Sequence, residues 1–201
     1  MAKIQERLAF DQLLAHLEAQ KHLTPRQACY RKGHSTQTAL LAVLDDIRNA
    51  VDKRKVTLLT LFGFSKVFEC IPHKKLLMKM RNYNISDAAI KWFYNYLSDR
   101  YQTVIDDENT ESNWYRVSAG VSQARVLGPL LFAIFINDPT STLLFSNHMI
   151  YADDSQIYYH CLLSDILQGI RLIQRDARAV ADWAIENGLE SQQEQGHDLG
   201  Q

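Results

Sequence analysis

Length, composition and charge indicate a globular protein of one domain or one and a half. The chain has 201 residues, 46% of them hydrophobic, and a formal net charge of −1. This apolar fraction can form a sizeable core, but the charge lacks the basic excess typical of nucleic-acid-binding proteins. No apolar run of about 18 residues indicates a membrane span, and the N-terminus lacks a signal-peptide core. Three widely spaced cysteines predict neither a disulfide framework nor a zinc site. We therefore expect a reduced intracellular protein without a membrane partner.

The first half of the chain predicts two helices, a basic loop and a strand. Apolar residues recur with a helical period over 4–20 and 36–51, and Ser35 has the character of an N-cap. Between the helices, cations including Arg31 crowd a short polar segment, which is either a phosphate-binding patch or a solvated loop. The apolar, β-branched run 56–62 predicts a strand buried on much of both faces.

The second half predicts more helices and two strand pairs. Periodicity and capping residues indicate helices over 73–82, from Ser86 to Leu97, within 120–138, and from Ser164 to Asn187. Paired strands are expected over 101–105 and 114–119. The interleaving of helices with hairpins is typical of an α+β fold with an antiparallel sheet and helices packed on one side.

The stretch 145–159 predicts a second hairpin with two acids at its tip. Apolar and aromatic residues flank Asp153 and Asp154 on both sides. Aspartate tolerates the left-handed backbone of a tight turn, so the pair fits an exposed polar turn. Two carboxylates fixed side by side also fit a divalent metal site, because hard cations prefer oxygen ligands. The stretch alone leaves both interpretations open.

Four motifs in order give these residues a family context. They are QACYRKGHST at 27–36, FGFSKVFE at 62–69, AGVSQARVLGPLLF at 119–132 and YADD at 151–154. Together they resemble the reverse transcriptase domain of non-LTR, LINE-like retrotransposons, over residues 3 to 189. The resemblance implies a right-hand polymerase palm with partial fingers and no thumb. Residues 1–55 would be partial fingers, 56–189 the palm with inserted fingers helices, and 190–201 a disordered tail.

The resemblance also implies a reaction, a cofactor and partners. The family adds deoxynucleotides to a primer end on an RNA or DNA template. Chemically, this addition is a displacement at the α-phosphate by the 3′-hydroxyl of the primer. Two Mg²⁺ ions assist such a displacement, so Mg would be the cofactor if metal binding is retained. Asp153 and Asp154 would be the surviving metal ligands. The oligomeric state is not indicated.

Three further residues take roles from the same resemblance. Phe68 would be the aromatic gate that excludes a ribose 2′-hydroxyl, and Gln123 would contact the nucleotide or template. Arg31 would approach the triphosphate or template. Each also has a plain interpretation, as a core aromatic, a loop amide and a surface charge respectively.

One departure from the family pattern concerns catalysis directly. Gly63 stands where the family carries its first catalytic aspartate, although Phe64 and Phe68 beside it still match. If the loss of this carboxylate removes about 4 kcal/mol of transition-state stabilisation, the reaction slows roughly 10³-fold. We therefore expect a degenerate copy that is impaired in polymerisation. The alternatives are a non-catalytic nucleic-acid-binding module and a protein-interaction remnant.

Overall fold

The α+β class and the antiparallel sheet are confirmed. The computed structural model describes residues 2–29, 31, 33–64, 67–107, 109–122, 125–152 and 154–189. The helices are α1 (Ala2–Ala19), α2 (Thr36–Asp52), α3 (Val67–Cys70), α4 (His73–Asn82), α5 (Asp87–Leu97), α6 (Gly128–Phe135) and α7 (Ile166–Asn187). The strands are β1 (Lys55–Gly63), β2 (Tyr101–Gln102), β3 (Tyr115–Arg116), β4 (Asn147–Tyr151) and β5 (Asp154–Leu162).

The main sheet has three antiparallel strands in the order β1-β5-β4. β5 lies in the centre, since it pairs with β1 along its whole length and with β4 through the hairpin. The segment around Gln27 adds a short parallel bridge to β4 at Ile150. The predicted hairpin at 145–159 is therefore confirmed, and it forms two thirds of the main sheet.

Helices pack on both faces of this sheet, which is more than the one-sided packing that the sequence predicts. Gly169 of α7 lies against Cys161 of β5. Tyr158 of β5 packs with Val43 of α2 on the other face. Residues 158 and 161 point to opposite faces because strand side chains alternate. Periodicity identifies amphipathic helices but does not assign each one to a face.

Helix α6 is the centre of the hydrophobic core. Its residues from Leu130 to Phe135 are at most 1% exposed. A helix that is apolar all round is buried all round. Lys79 of α4 caps the C-terminal end of α6. Its ammonium group donates to the Phe135 carbonyl at 2.9 Å and to the Asp138 carboxylate at 2.6 Å. Burial lowers the pKa of Lys79 even though Asp138 opposes that shift.

The predicted N-caps Ser35 and Ser86 and the predicted helix end at Gly188 are confirmed, whereas the predicted N-cap Ser164 is wrong. The Ser35 hydroxyl accepts from the Thr38 amide at 3.2 Å, and Gly188 ends α7 with a φ of 76°. Ser164 does not cap α7, because a turn of 3-10 helix over Leu163–Asp165 precedes it. There the Ser164 hydroxyl donates to Asp165 instead. A serine ahead of an apolar run does not separate these two geometries.

Two strand predictions also differ from the structure. β1 is not buried on both faces, since Leu59 is 48% and Leu61 is 71% exposed. The pairing predicted over 101–105 and 114–119 shrinks to the short strands β2 and β3, with an isolated bridge between Ile105 and Glu111. The run that forms β1 has the composition of a buried strand, but composition does not show which of its faces a neighbouring element covers.

The predicted division into fingers, palm and tail stays a prediction, and the tail from residue 190 lies outside the described residues. Among the described helices, none is both long and apolar enough to cross a membrane.

Candidate functional site at the Gly63–Asp154 end of the sheet

One end of the main sheet brings the β1 terminus and the 151–154 hairpin together. Gly63 pairs with Asp154, and Asp154 pairs with Tyr151. Paired residues of antiparallel strands have Cα atoms about 4.5–5.5 Å apart and lie on the same face. A side chain at position 63 would therefore lie beside the Asp154 carboxylate. Gly63 and the hairpin come from motifs about 90 residues apart in sequence, and this register brings them side by side.

The hairpin turn differs from its predicted form in one respect. Asp154 is the first residue of β5 and not part of the turn. Ala152 has the positive backbone angle, with a φ of 53°. An alanine there costs about 1–2 kcal/mol relative to ordinary backbone. Asp153, the predicted principal ligand, lies outside the described residues.

Position 63 has room for a side chain. A Cβ atom built on Gly63 meets no heavy atom within 4 Å, and Gly63 is not among the glycines with positive φ. Neither sterics nor backbone geometry requires a glycine here. The missing carboxylate is therefore a property of the sequence and not of a backbone that has closed over the site.

The sheet face that carries Gly63 is partly open. Alternation puts Leu59, Leu61 and Gly63 on one face of β1, and all three are exposed. Helix α2 covers the neighbouring part of this face, where Met149 and Tyr158 are buried. The open strip therefore runs along β1 toward Gly63 and the exposed Asp154.

The loop before α6 is anchored close to the β1–α3 connection. Gly120 has a φ of 88°, and a Cβ atom there would lie 2.7 Å from the Glu69 carbonyl oxygen. The Gly120 amide donates to Ile71 at 2.8 Å, and the Val121 amide donates to Phe68 at 2.6 Å. Gln123, the predicted nucleotide or template contact, and its neighbour Ala124 lie outside the described residues.

Sequence reasoning missed Glu6, which fixes the far side of this loop. Glu6 is 3% exposed, accepts from the Arg125 guanidinium at 3.0 Å, and accepts from the Val126 amide at 3.1 Å. An acid within a helical pattern normally predicts a solvated position. The one sequence signal is Arg125, which places a positive charge beside an apolar run, where a buried acid can pair with it.

Phe68 is packed in the core. It is 7% exposed, and its ring stacks on Phe132 of α6 with centroids 4.2 Å apart. This position matches the plain interpretation of a core aromatic. A gate would have to present its ring edge to a bound nucleotide, so the gate role of Phe68 stays a prediction.

Arg31 and the basic segment around it are largely used within the protein. The Arg31 guanidinium donates to the carbonyls of Thr24 and Gln27 at 3.0 and 3.2 Å, and lies 3.8 Å from Glu18. These contacts hold the loop between α1 and α2 in shape. Any role of Arg31 toward a triphosphate stays a prediction.

Arg26 in the same segment is also paired internally. Its guanidinium lies 2.8 Å from Asp46 of α2, and Asp46 accepts from the Tyr158 hydroxyl. Burial and the bond to Asp46 raise the pKa of Tyr158 well above its usual range, so it remains a proton donor. The predicted alternative of a freely solvated basic loop does not describe these two arginines.

The described residues do not form a complete metal centre. Among them, no group of three histidine, cysteine, aspartate or glutamate side chains is placed to hold a metal ion. At this end of the sheet they provide the Asp154 carboxylate, and Gly63 provides none. The donor set that is described therefore does not fit a two-metal site.

An antiparallel hairpin with an acidic end, paired with a neighbouring strand and packed on helices, is the arrangement that the resemblance to a right-hand polymerase palm implies. Residues 2–195 match the family model described as reverse transcriptase (RNA-dependent DNA polymerase). The chain belongs to this family.

Curated relatives place the chain among retrotransposon proteins. It is 26% identical over 189 residues to the probable RNA-directed DNA polymerase from transposon X-element of Drosophila melanogaster, covering 92% of this chain. It is 24% identical over 193 residues to the RNA-directed DNA polymerase from mobile element jockey of Drosophila funebris. The chain spans about a fifth of each relative's length, 20% and 21% respectively. The predicted LINE-like reverse transcriptase resemblance is confirmed.

Solved structures show the same fold. Apo telomerase from Candida tropicalis, truncated from its C-terminal domain, matches with a TM-score of 0.67 at 12% identity. That match covers 95% of this chain and 39% of the telomerase chain. Telomerase from the same organism in complex with a TWJ fragment of telomeric RNA matches with a TM-score of 0.67 at 14% identity.

Proposed function

We propose that this chain is a retrotransposon-derived polymerase domain in which RNA-directed DNA synthesis is impaired by the glycine at position 63. Its partners would be an RNA or DNA template-primer and deoxynucleotides, in line with the relatives' names. The observation that carries the proposal is the pairing of Gly63 with Asp154 at the open end of the sheet.

The proposed lesion is electrostatic. A phosphoryl transfer develops negative charge at the attacking and leaving oxygens, and Mg²⁺ ions held by carboxylates supply the charge that stabilises it. Asp154 and Asp153 would contribute two carboxylates from the hairpin. The third would come from the β1 end, where glycine has no donor atom. With one carboxylate ligand fewer, the site would bind metal more weakly and would hold it in a less defined position.

The remaining parts of the proposed site orient the nucleic acid. The open strip of β1 lies on the same face as Gly63 and would give a template-primer access to Asp154. The loop before α6, clamped by Glu6 and by Gly120, would position Gln123 toward a nucleotide. These are roles in binding and orientation, and they do not depend on the residue at position 63.

The test is primer extension by the purified chain and by Gly63→Asp, each with Mg²⁺ and with Mn²⁺. We expect the unchanged chain to extend the primer about 10³-fold more slowly than Gly63→Asp, which corresponds to about 4 kcal/mol of transition-state stabilisation. Gly63→Asn is the matched control, because it has nearly the same size but no charge. It should remain as slow as the unchanged chain.

Two results would contradict the proposal. Robust extension by the unchanged chain would show that the carboxylate is dispensable. Equal rates for Gly63→Asp and Gly63→Asn would show that the loss of charge at position 63 does not limit the reaction. If extension is absent throughout but the chain binds template-primer with a salt-dependent affinity, the non-catalytic binding module is favoured.

A further inference from the structure

A second candidate site is a cleft whose described lining includes neither Gly63 nor Asp154. It is enclosed by α4, α5 and the base of the β2–β3 hairpin, and its volume is about 540 Å³. Ligand sites in proteins typically measure about 300–1,000 Å³. Three cations line it, Lys74 and Arg81 from α4 and Arg116 from β3, and Tyr94 contributes an aromatic ring from α5.

The cleft carries a positive charge that the protein leaves largely available. Lys74 and Arg81 are exposed and lie about two helical turns apart, so they share one side of α4. Neither forms an ion pair with another described residue. Among the described lining residues Asp99 is the one acid. The local balance is therefore two positive charges in a chain whose net charge is −1.

Arg116 is held by a contact that an anion can replace. Its guanidinium lies 3.2 Å from Asp99, with the two side chains 64% and 82% exposed. An ion pair as exposed as this contributes little to stability, because water screens it and two long side chains lose freedom. A phosphate group could take the place of Asp99 without breaking a buried interaction.

Tyr94 adds a flat apolar surface beside these cations. Tyr94 is 57% exposed, whereas Leu77 and Leu97, which line the same cleft, are 7% and 3% exposed. An exposed ring among cations is the combination that binds single-stranded nucleic acid, since bases stack on the ring and phosphates meet the cations.

The geometry points to a binding site for single-stranded nucleic acid in this cleft, with a base stacked on Tyr94 and phosphates on Lys74, Arg81 and Arg116. The cleft borders the loop before α6. Ser118 lines it, and the His73 ring donates to the Gly120 carbonyl at 2.7 Å. A strand held in the cleft would leave it alongside that loop. This site is independent of the carboxylates at the sheet end and needs neither metal nor nucleotide.

A groove on α7 offers a charge-matched comparison. Arg171, Arg175 and Arg178 line a groove of about 620 Å³ together with Asp182. No aromatic residue is among its described lining residues. This groove can attract phosphates by charge, but its lining offers a base no ring on which to stack. The nearby Phe145 ring lies outside the lining and is covered by the Arg175 guanidinium, 5.7 Å from its centroid. It therefore separates a general electrostatic effect from the proposed site.

The experiment measures binding of a fluorescein-labelled oligouridine 12-mer by anisotropy across a range of KCl concentrations. The unchanged chain is compared with Lys74→Gln/Arg81→Gln/Arg116→Gln and with Arg171→Gln/Arg175→Gln/Arg178→Gln. Both triple variants lose three positive charges. We expect the cleft variant to lower the slope of log affinity against log salt by about 2, because each single-strand phosphate contact contributes about 0.7. The α7 variant should keep the original slope within about 0.5.

A pair of single substitutions tests stacking. Tyr94→Ala should weaken binding about 5- to 150-fold with an unchanged salt slope, and Tyr94→Phe, which keeps the ring, should bind like the unchanged chain. Circular dichroism and thermal melting of each variant then check whether the substitution has left the fold intact. If the triple variant does not fold, Arg81→Gln alone gives the test, with an expected slope change of about 0.7.

Several outcomes would overturn the assignment. These are no measurable binding by the unchanged chain at 50 mM KCl, equal effects of the two triple variants, and equal affinity of Tyr94→Ala and Tyr94→Phe. Competition by polyglutamate as strong as by unlabelled oligouridine would identify an acidic protein surface as the preferred ligand. Because no primer or nucleotide is present, failure here leaves the extension result unaffected, and the reverse also holds.

Discussion

Two glycines near the candidate site have opposite structural constraints. Gly120 needs its missing side chain, because its φ is 88° and a Cβ atom would lie 2.7 Å from the Glu69 carbonyl oxygen. Gly63 has free space around its Cβ position and no positive φ. We expect Gly120→Ala to destabilise the protein by at least about 2 kcal/mol, from left-handed strain plus displaced backbone. Urea denaturation measures the difference.

Gly63→Ala is the matched control for that measurement. It should be neutral or stabilising by up to about 1 kcal/mol, since alanine in a strand loses less backbone freedom on folding. If both alanine variants had the same stability, the close approach of the Gly120 loop to residues 68 and 69 would be contradicted.

Asp176 of α7 is a buried acid whose role is structural. It is 1% exposed, and its carboxylate accepts the amides of Leu144, Phe145 and Ser146 at 3.1, 3.0 and 2.7 Å. Burial alone would raise its pKa, but the hydrogen bonds outweigh burial and the pKa is lowered. The carboxylate thereby fixes the turn that enters β4.

This lowered pKa predicts a pH-dependent stability difference. A folded-state pKa below the unfolded value means that the stabilisation is complete above the unfolded pKa of about 3.9 and is lost as pH falls through the folded value. We expect Asp176→Asn to cost about 2–3 kcal/mol at pH 7 and progressively less below about pH 4. Asp182→Asn, on the exposed side of the same helix, should change stability by less than about 0.5 kcal/mol at either pH.

At the scale of elements, α7 approaches the sheet more closely than any ordinary residue would allow. A Cβ atom on Gly169 would lie 2.8 Å from the Cys161 sulfur and 3.1 Å from a Leu58 methyl carbon. Glycine in a helix interior costs about 1 kcal/mol relative to alanine. Here the close packing of helix on sheet offsets that cost.

A double-mutant cycle tests the contact between α7 and β5. Gly169→Ala alone should be destabilising, because the Cβ atom overlaps the sulfur. In a Cys161→Ala background the sulfur is absent, so the same substitution should regain part or all of the helix-propensity gain. We expect a coupling of at least about 1 kcal/mol from denaturation curves of all four proteins. Additive effects would mean that α7 does not rest on Cys161.

The elements differ in how far the sequence predicts them. Local signals suffice for the start of α2 and for the end of α7, where Ser35 and Gly188 act as their residue types indicate. The exposed side of β1 is not predictable from its composition, because Leu59 and Leu61 resemble core residues. Their exposure depends on α2 covering the β4–β5 part of the face and leaving the Leu59–Gly63 part of β1 open, which is set by tertiary packing.

At the scale of the whole molecule, the candidate site follows from motif order, whereas its supports do not. The family resemblance implies that position 63 and the 151–154 hairpin share one site, and the pairing of Gly63 with Asp154 lies there. Glu6 reaches Arg125 across 119 residues of sequence, and Arg26 finds Asp46 and Tyr158 on other elements. Such long-range ion pairs depend on how helices dock, and no local pattern records them.

The pairing of Gly63 with Asp154 also predicts how metal binding couples to global stability. A carboxylate introduced by Gly63→Asp would lie directly opposite Asp154, and like charges in that position cost about 0.2–1 kcal/mol. In EDTA, Gly63→Asp should therefore unfold at a lower urea concentration than Gly63→Asn. Added Mn²⁺ should reverse the order, because a metal bound by the folded state stabilises it by about 2.7 kcal/mol at 100 times its dissociation constant. The unchanged chain and Gly63→Asn should gain less than Gly63→Asp at every Mn²⁺ concentration. Equal gains for all three proteins would place any bound metal away from this end of the sheet.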